Sequence, residues 1–206
     1  MLKNRYVFIW QDKFLEYLTQ SERTMLKYHK AKKGEVVYAN KIKFIILTSG
    51  SAHLKYYSEN NEYILCVVRA DNFIVLDELT ALEMLEKSEF FELNFKDLIE
   101  LCKNDKFIAS VTNGLVRNLL SQRDTIYDYT FLSIEERISK FLFQAYECKK
   151  TKDNIVKVCD ITTMSQLLGA SRQNVSKVIN AYIKNGMLKK IDRNTYDISK
   201  LPKPHK

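Results

Sequence analysis

The sequence predicts an α+β chain: a sandwich or small barrel of short strands, then a long helix, then a helix-turn-helix followed by a hairpin. Three observations carry this. Between Gly34 and Phe95, short apolar runs rich in β-branched and aromatic residues are separated by turn residues. From about Lys106 to Asp128, apolar residues recur at three and four positions without a break. "ITTMSQLLGASRQNVSKVINAYIKNG" then holds two amphipathic stretches, each ended by a glycine.

The elements follow in order. "WQDKFLEYLTQSERTMLKYH" reads as a short helix, a break and a further turn or two, with Phe14, Leu15 and Leu18 on one face. "KKGEVVYA" turns at Gly34 and enters a strand at Val36, Val37 and Tyr38. "KFIILTSG" is a strand ending at Gly50. "SAHLKYYS" alternates, placing His53, Lys55 and Tyr57 opposite Ala52, Leu54 and Tyr56. "ENNE" is a turn, and "YILCVVRA" is apolar enough for a buried strand. "DNFIVLDELTALEML" has no clear pattern, and "SEFFELNF" closes the strand region.

A short helix begins near Lys96, and the long one follows. At about 22 residues it would extend roughly 33 Å. Ile108, Val111, Leu115, Leu119, Gln122, Ile126 and Tyr129 form its stripe, widened by Val116 and Leu120. Such a helix either lies flat on its own domain or pairs with a second copy. Gly114 sits mid-helix. It is either a local weakness, costing about 1 kcal/mol against Ala, or a point of close approach. In "SIEERISKFLFQAYECK" Ser133 caps the next helix with Glu136 three residues on, and Ile134, Ile138, Phe141, Leu142 and Ala145 form its inner face. The division expected is 1–105, 106–130 and 131–206, with the boundary near Phe131–Leu132.

The next pair of helices carries the chemistry. "KTKDNIVKVC" is a polar turn leading into a short strand. Asp160, Thr162 or Thr163 caps the first helix, Met164, Leu167 and Leu168 face inward, and Gly169 ends it. Ser171 caps the second, whose inner face is Val175, Val178, Ile179 and Tyr182. Arg172, Gln173, Asn174, Ser176 and Lys177 lie opposite. Arg can bond guanine O6 and N7 together, and Gln or Asn can do the same for adenine. That set is poor chemistry for a core and good chemistry for base edges. Ser171 at the helix start suits a phosphate. Past Gly186, "MLKKIDRNTYDIS" reads as strand, turn, strand, with Lys189, Lys190 and Arg193 suited to flanking phosphates. The competing reading is a plain helical packing unit with a basic surface.

Charge supports the first reading. The chain carries +8 formally, and residues 149–206 alone hold 13 Lys or Arg against 4 Asp or Glu. The four cysteines, Cys66, Cys102, Cys148 and Cys159, lack zinc or disulfide-framework spacing and read as reduced cytosolic thiols. The start has no signal-peptide pattern, and no run is apolar enough to span a membrane. A cytoplasmic location is therefore expected, with "LPKPHK" as a loose tail. No metalloprotease, Walker or nucleophile-elbow motif occurs, and the histidines stand far apart at 29, 53 and 205, so no enzyme is expected.

Residues 159–199, and above all "LLGASRQNVSKVINAYIKNGML", resemble the winged helix-turn-helix of the Crp/Fnr transcription regulator superfamily. "KKGEVVYA" and "LTSGSAHLKYY" are similar to the opening of that family's cyclic-nucleotide-binding β-roll, a jelly roll. The long stretch looks like its dimerisation helix. The resemblance implies a homodimer on a near-palindromic duplex, with RNA polymerase as a candidate partner. It also implies base or backbone contacts by Ser171, Arg172, Gln173 and Lys177. The chain departs from the nucleotide-binding members. "DNFIVLDELTALEMLEKSEF" has no arginine and no glycine, and Asp77, Glu78 and Glu83 would repel a cyclic phosphate. Cyclic AMP is therefore not the expected effector, and no cofactor is assigned. An early cysteine cluster for iron–sulfur is absent. His29, His53 and Cys66 are haem ligands by element only. Another small-molecule effector could meet Tyr56, Tyr63 and Phe73, or a thiol could respond to redox state.

Overall fold

The computed structural model describes residues 13–58, 61–149 and 153–203. The first half of the turn expected at 59–62, the start of the polar turn at Lys150–Lys152 and the end of the tail expected at 201–206 lie outside these, whereas Asn61 and Glu62 already belong to a strand and Leu201 is buried. The described chain forms two compact units, one ending at Arg123 and the other beginning at Asp124.

The N-terminal unit opens with a 3-10 turn, Phe14–Tyr17, and a single helical turn α1, Gln20–Arg23. Thr19 and Glu22 cap α1 reciprocally. Eight strands follow: β1 Lys27–Ala31, β2 Val36–Tyr38, β3 Lys43–Ser49, β4 Ser51–Ser58, β5 Asn61–Arg69, β6 Asn72–Leu76, β7 Thr80–Met84 and β8 Ser88–Leu93. They make two four-stranded antiparallel sheets, ordered β1-β8-β3-β6 and β2-β7-β4-β5. Alternation along each strand sends one residue set inward. Ile45, Leu47, Ile74, Leu76 and Phe90 of the first sheet meet Ala52, Cys66, Val68, Leu82 and Met84 of the second in one core. The opposite face of the first sheet, with Phe44, Ile46, Phe73 and Leu93, packs on Phe14, Leu18, Leu101, Phe107 and Val111. This is the β-sandwich the short apolar runs predict.

Two details differ from the sequence expectation. β1 is an addition to the expected strands, because "KYHKA" exposes most of its residues and carries no strand pattern. It is an edge strand that pairs with β8, far along the chain, and buries Ala31 in the core between the sheets. "DNFIVLDELTALEML" resolves into β6, a turn and β7. Asp77 Oδ1 accepts from Leu79 N at 3.1 Å and from Thr80 Oγ1 at 2.7 Å, which closes that turn.

Helix α2, Phe95–Leu101, capped by Asn94, leads into α3, Asp105–Phe131. At 27 residues α3 is about 40 Å long. Its last turns belong with the C-terminal unit.

In the C-terminal unit, α4 spans Ile134–Lys149. Ser133 and Glu136 close its start, with Glu136 N donating to Ser133 Oγ at 3.2 Å and Ser133 N to Glu136 Oε2 at 2.8 Å. Strand β9, Ile155–Lys157, helices α5, Ile161–Leu168, and α6, Arg172–Lys184, and strands β10, Lys189–Asp192, and β11, Thr195–Asp197, complete it. The three strands form one antiparallel sheet, β10-β11-β9. The core joins Ile138, Phe141 and Leu142 of α4, Met164, Leu167 and Leu168 of α5 and Val175, Val178 and Ile179 of α6, all buried.

Candidate nucleic-acid interface

Helix α6 is placed by four local signals. Asp160 Oδ1 accepts from the Thr162 and Thr163 amides at 2.9 and 3.1 Å, which starts α5. The Thr163 amide holds the Asp160 carboxyl below its ordinary range. Gly169 ends α5 at φ +58°, a left-handed conformation that few side chains tolerate. Ser171 Oγ accepts from Asn174 N at 3.2 Å and starts α6. Gly186, at φ +72°, releases the chain after α6.

Val175, Val178 and Ile179 then point into the core, and the opposite face of α6 is left in solvent. Ser171, Arg172, Gln173, Asn174 and Lys177 are exposed, and Ser176 is half-buried. Arg172, Gln173, Ser176 and Lys177 line one shallow concavity together with Asn180. Asn180 is a member that the sequence reading misses, although it stands four residues after Ser176. No acidic residue occupies the first turn of α6, so the helix dipole and Arg172 present positive potential at the same end. Lys189, Lys190 and Arg193 are all exposed, the lysines on β10 and Arg193 in the turn that follows. A second groove runs beside α6, where Tyr182 donates to Glu135 O at 3.0 Å.

The residues expected to pair two copies divide into groups. Leu115, Leu119, Gln122 and Ile126 are exposed, Leu119 at 66% and Ile126 at 64%, and Val116 and Leu120 are bare beside them. Ile108 is half-buried. Val111 is a correction to the expected set. It is 3% exposed and packs with Phe107 in its own unit, because the stripe is wide enough to serve two faces. Gly114 is likewise covered within its own chain. Tyr129 donates its hydroxyl to Leu167 O at 3.1 Å, so its polar end is engaged inside the chain.

In the N-terminal unit a cleft of about 280 Å³ is lined by Leu54, Cys66, Val68, Phe73, Ile74, Val75, Leu115, Leu119 and Gln122. No charged residue lines it. Of the three expected aromatic contacts only Phe73 does, whereas Tyr56 and Tyr63 sit opposite each other further along β4 and β5. The haem candidates do not converge. His29 stacks on Phe90, while His53 lies beside Glu83 and faces the other side of its sheet from Cys66. Among the described residues no group of three or more His, Cys, Asp or Glu could hold a metal ion. Burial pushes the Cys66 and Cys159 thiols up to about 12, the latter with help from Asp160, and raises Cys102. Glu83 is held low chiefly by its hydrogen bond from Lys55, at 2.8 Å, and Lys55 also reaches Glu62 at 2.9 Å. No described helix is long and apolar enough to cross a membrane.

No family model matches the chain, and no curated protein sequence matches it either. Solved structures do match. A CooA mutant from Carboxydothermus hydrogenoformans superposes with a TM-score of 0.78 at 15% identity, over 96% of this chain and 95% of that one. CLP of Xanthomonas campestris, described as a c-di-GMP responsive global regulator, gives 0.75 at 14% identity, over 90% and 97%. A putative transcriptional regulator of the Crp/Fnr family from Eubacterium rectale gives 0.68 at 15% identity, over 91% and 93%.

Proposed function

We propose that this chain, which has the fold of the Crp/Fnr regulators, is a DNA-binding transcription regulator that acts as a homodimer on a near-palindromic duplex. The observation that carries this is the bare polar face of α6, where Arg172, Gln173, Ser176, Lys177 and Asn180 share one concavity. A buried helix has no use for that set, whereas base edges in a major groove do. Ser171 and the α6 N-terminus would meet one phosphate, and Lys189, Lys190 and Arg193 others. The exposed part of the α3 stripe is the surface for the second copy, which would set the two reading helices about 34 Å apart. RNA polymerase is a candidate partner on a promoter. Selection of bound duplexes from a random pool tests the reading. A two-fold symmetric consensus is expected, and recovery of unrelated sequences would overturn it.

The apolar cleft supports a second reading, in which an effector gates the DNA affinity. Its lining offers one amide, Gln122, one thiol and hydrocarbon, so it suits a small uncharged ligand rather than a cyclic phosphate. A thiol gate gains no support from groups held protonated at neutral pH. Repeating the duplex selection with and without cell extract separates a gated regulator from an ungated one.

A further inference from the structure

An α-helix leaves its last carbonyls without partners of its own. Two of those of α5, Leu167 O and Leu168 O, are held from outside. Arg137 Nη1, on α4, donates to Leu168 O at 2.7 Å and reaches Gly169 O at 3.5 Å. The Tyr129 hydroxyl, near the end of α3, donates to Leu167 O at 3.1 Å. The Arg137 guanidinium lies over the Tyr129 ring, 5.5 Å from its centroid. That ring in turn occupies the space beside Gly169, where an added Cβ would come within 2.9 Å of it. One residue earlier, fully buried Asp128 is gripped by Lys140 Nζ at 2.8 Å. All these groups belong to the C-terminal unit.

Only Gly169 and Ala170 separate Leu168 from the Ser171 cap. A displacement at the end of α5 therefore passes almost directly into the first turn of α6. Hydrogen bonds to base edges weaken steeply with angle, so small errors there matter. The glycine cap already closes α5 through Gly169 N and Ala170 N, which both donate to Ser165 O. The two side chains add direction to a helix end that is already satisfied in part.

We infer that Tyr129 and Arg137 are positioning residues for the reading face. They clamp the α5–α6 turn and so set where Arg172, Gln173 and Asn174 present their donors. The inference rests on the reading of α6 as a nucleic-acid interface, and its test has an arm independent of that reading.

Full-length Tyr129→Phe, Arg137→Ala and Arg137→Lys are compared with the unchanged protein. On the selected duplex, Arg137→Ala should bind about tenfold more weakly and Arg137→Lys should recover part of the loss, because hydrogen bonds from charged donors are the strong ones. Binding to a scrambled duplex should change by less than about twofold. Without DNA, amide hydrogen exchange at residues 170–174 should quicken in Arg137→Ala and Tyr129→Phe, while amides in the middle of α4 stay as they were. Tyr129→Phe keeps the ring beside Gly169, so it reports on the turn even if Arg137→Ala unfolds. Unchanged exchange at 170–174, or equal losses on both duplexes, would overturn the inference. If the unchanged protein selected no duplex, the nucleic-acid reading would fail, and the exchange measurement would still decide whether the two side chains hold the turn.

Discussion

Two helices of this chain turn uncovered faces to water, and the faces differ in kind. α6 shows Arg172, Gln173, Asn174 and Lys177, whereas α3 shows Leu115, Val116, Leu119, Leu120 and Ile126. The polar face costs nothing to leave wet, so its spacing and donor geometry are what need explaining. The apolar face is costly to leave wet, at roughly 25 cal/mol per Å², so what needs explaining is its cover. The contrast fits the two partners proposed above, a polyanion for one face and a second copy for the other.

The largest effect should come from the apolar side. Leu119→Glu combined with Leu120→Glu puts charge where two copies would meet. Sedimentation equilibrium should then report a monomer at micromolar concentration. Affinity for the symmetric duplex should drop by roughly 100-fold, because the second half-site no longer binds intramolecularly. A dimer that survives both substitutions would break the assignment of that face.

Next comes the polar side. Arg172→Ala should weaken the selected duplex by about 10- to 100-fold, since a bidentate base contact is worth about 1–3 kcal/mol. A scrambled duplex should hardly notice. Lys189→Ala with Lys190→Ala should act in the opposite manner, weakening every duplex alike. The slope of log affinity against log salt should become shallower by about 0.9 for each phosphate that is no longer neutralised.

The smallest effect concerns the cap that starts α5. Asp160→Ala should cost about 1 kcal/mol at neutral pH. The folded-state pKa of Asp160 lies below its ordinary value of 3.8. Its contribution is therefore complete well above 3.8 and is lost as pH falls through the lower folded value. Thermal melts of the two proteins should converge in acid, and a gap that stayed constant down to that range would refute the sign.

The helix pair is legible because its signals are local. Asp160, Gly169, Ser171 and Gly186 each fix a boundary within a few residues, and the outward set follows from a 3.6-residue period. β1 is illegible for the opposite reason. Its five residues have no apolar alternation, and only β8 makes them a strand. The register shift after Leu54 is of the same non-local sort. The clamping roles of Tyr129 and Arg137 are hidden because their partners are carbonyls 38 and 31 positions away. A sequence names side chains, and a backbone oxygen has no letter of its own. Tyr129 therefore reads on the helix stripe as one more member of the pairing face, whereas its hydroxyl is bound within the chain. Val111 misleads on a related ground, since periodicity identifies an apolar stripe without saying which half of it its own protomer covers.

The buried Cys66 gives the sandwich a built-in clock. Its sulfur lies between the two sheets, 6% exposed, with its proton held up to about 12. It also lines the cleft beside α3, so an alkylating reagent reaches it through that cleft or when the sheets part. The rate at which that one peptide gains mass therefore reports access through the cleft and opening of the N-terminal half together, and a ligand seated in the cleft would slow it.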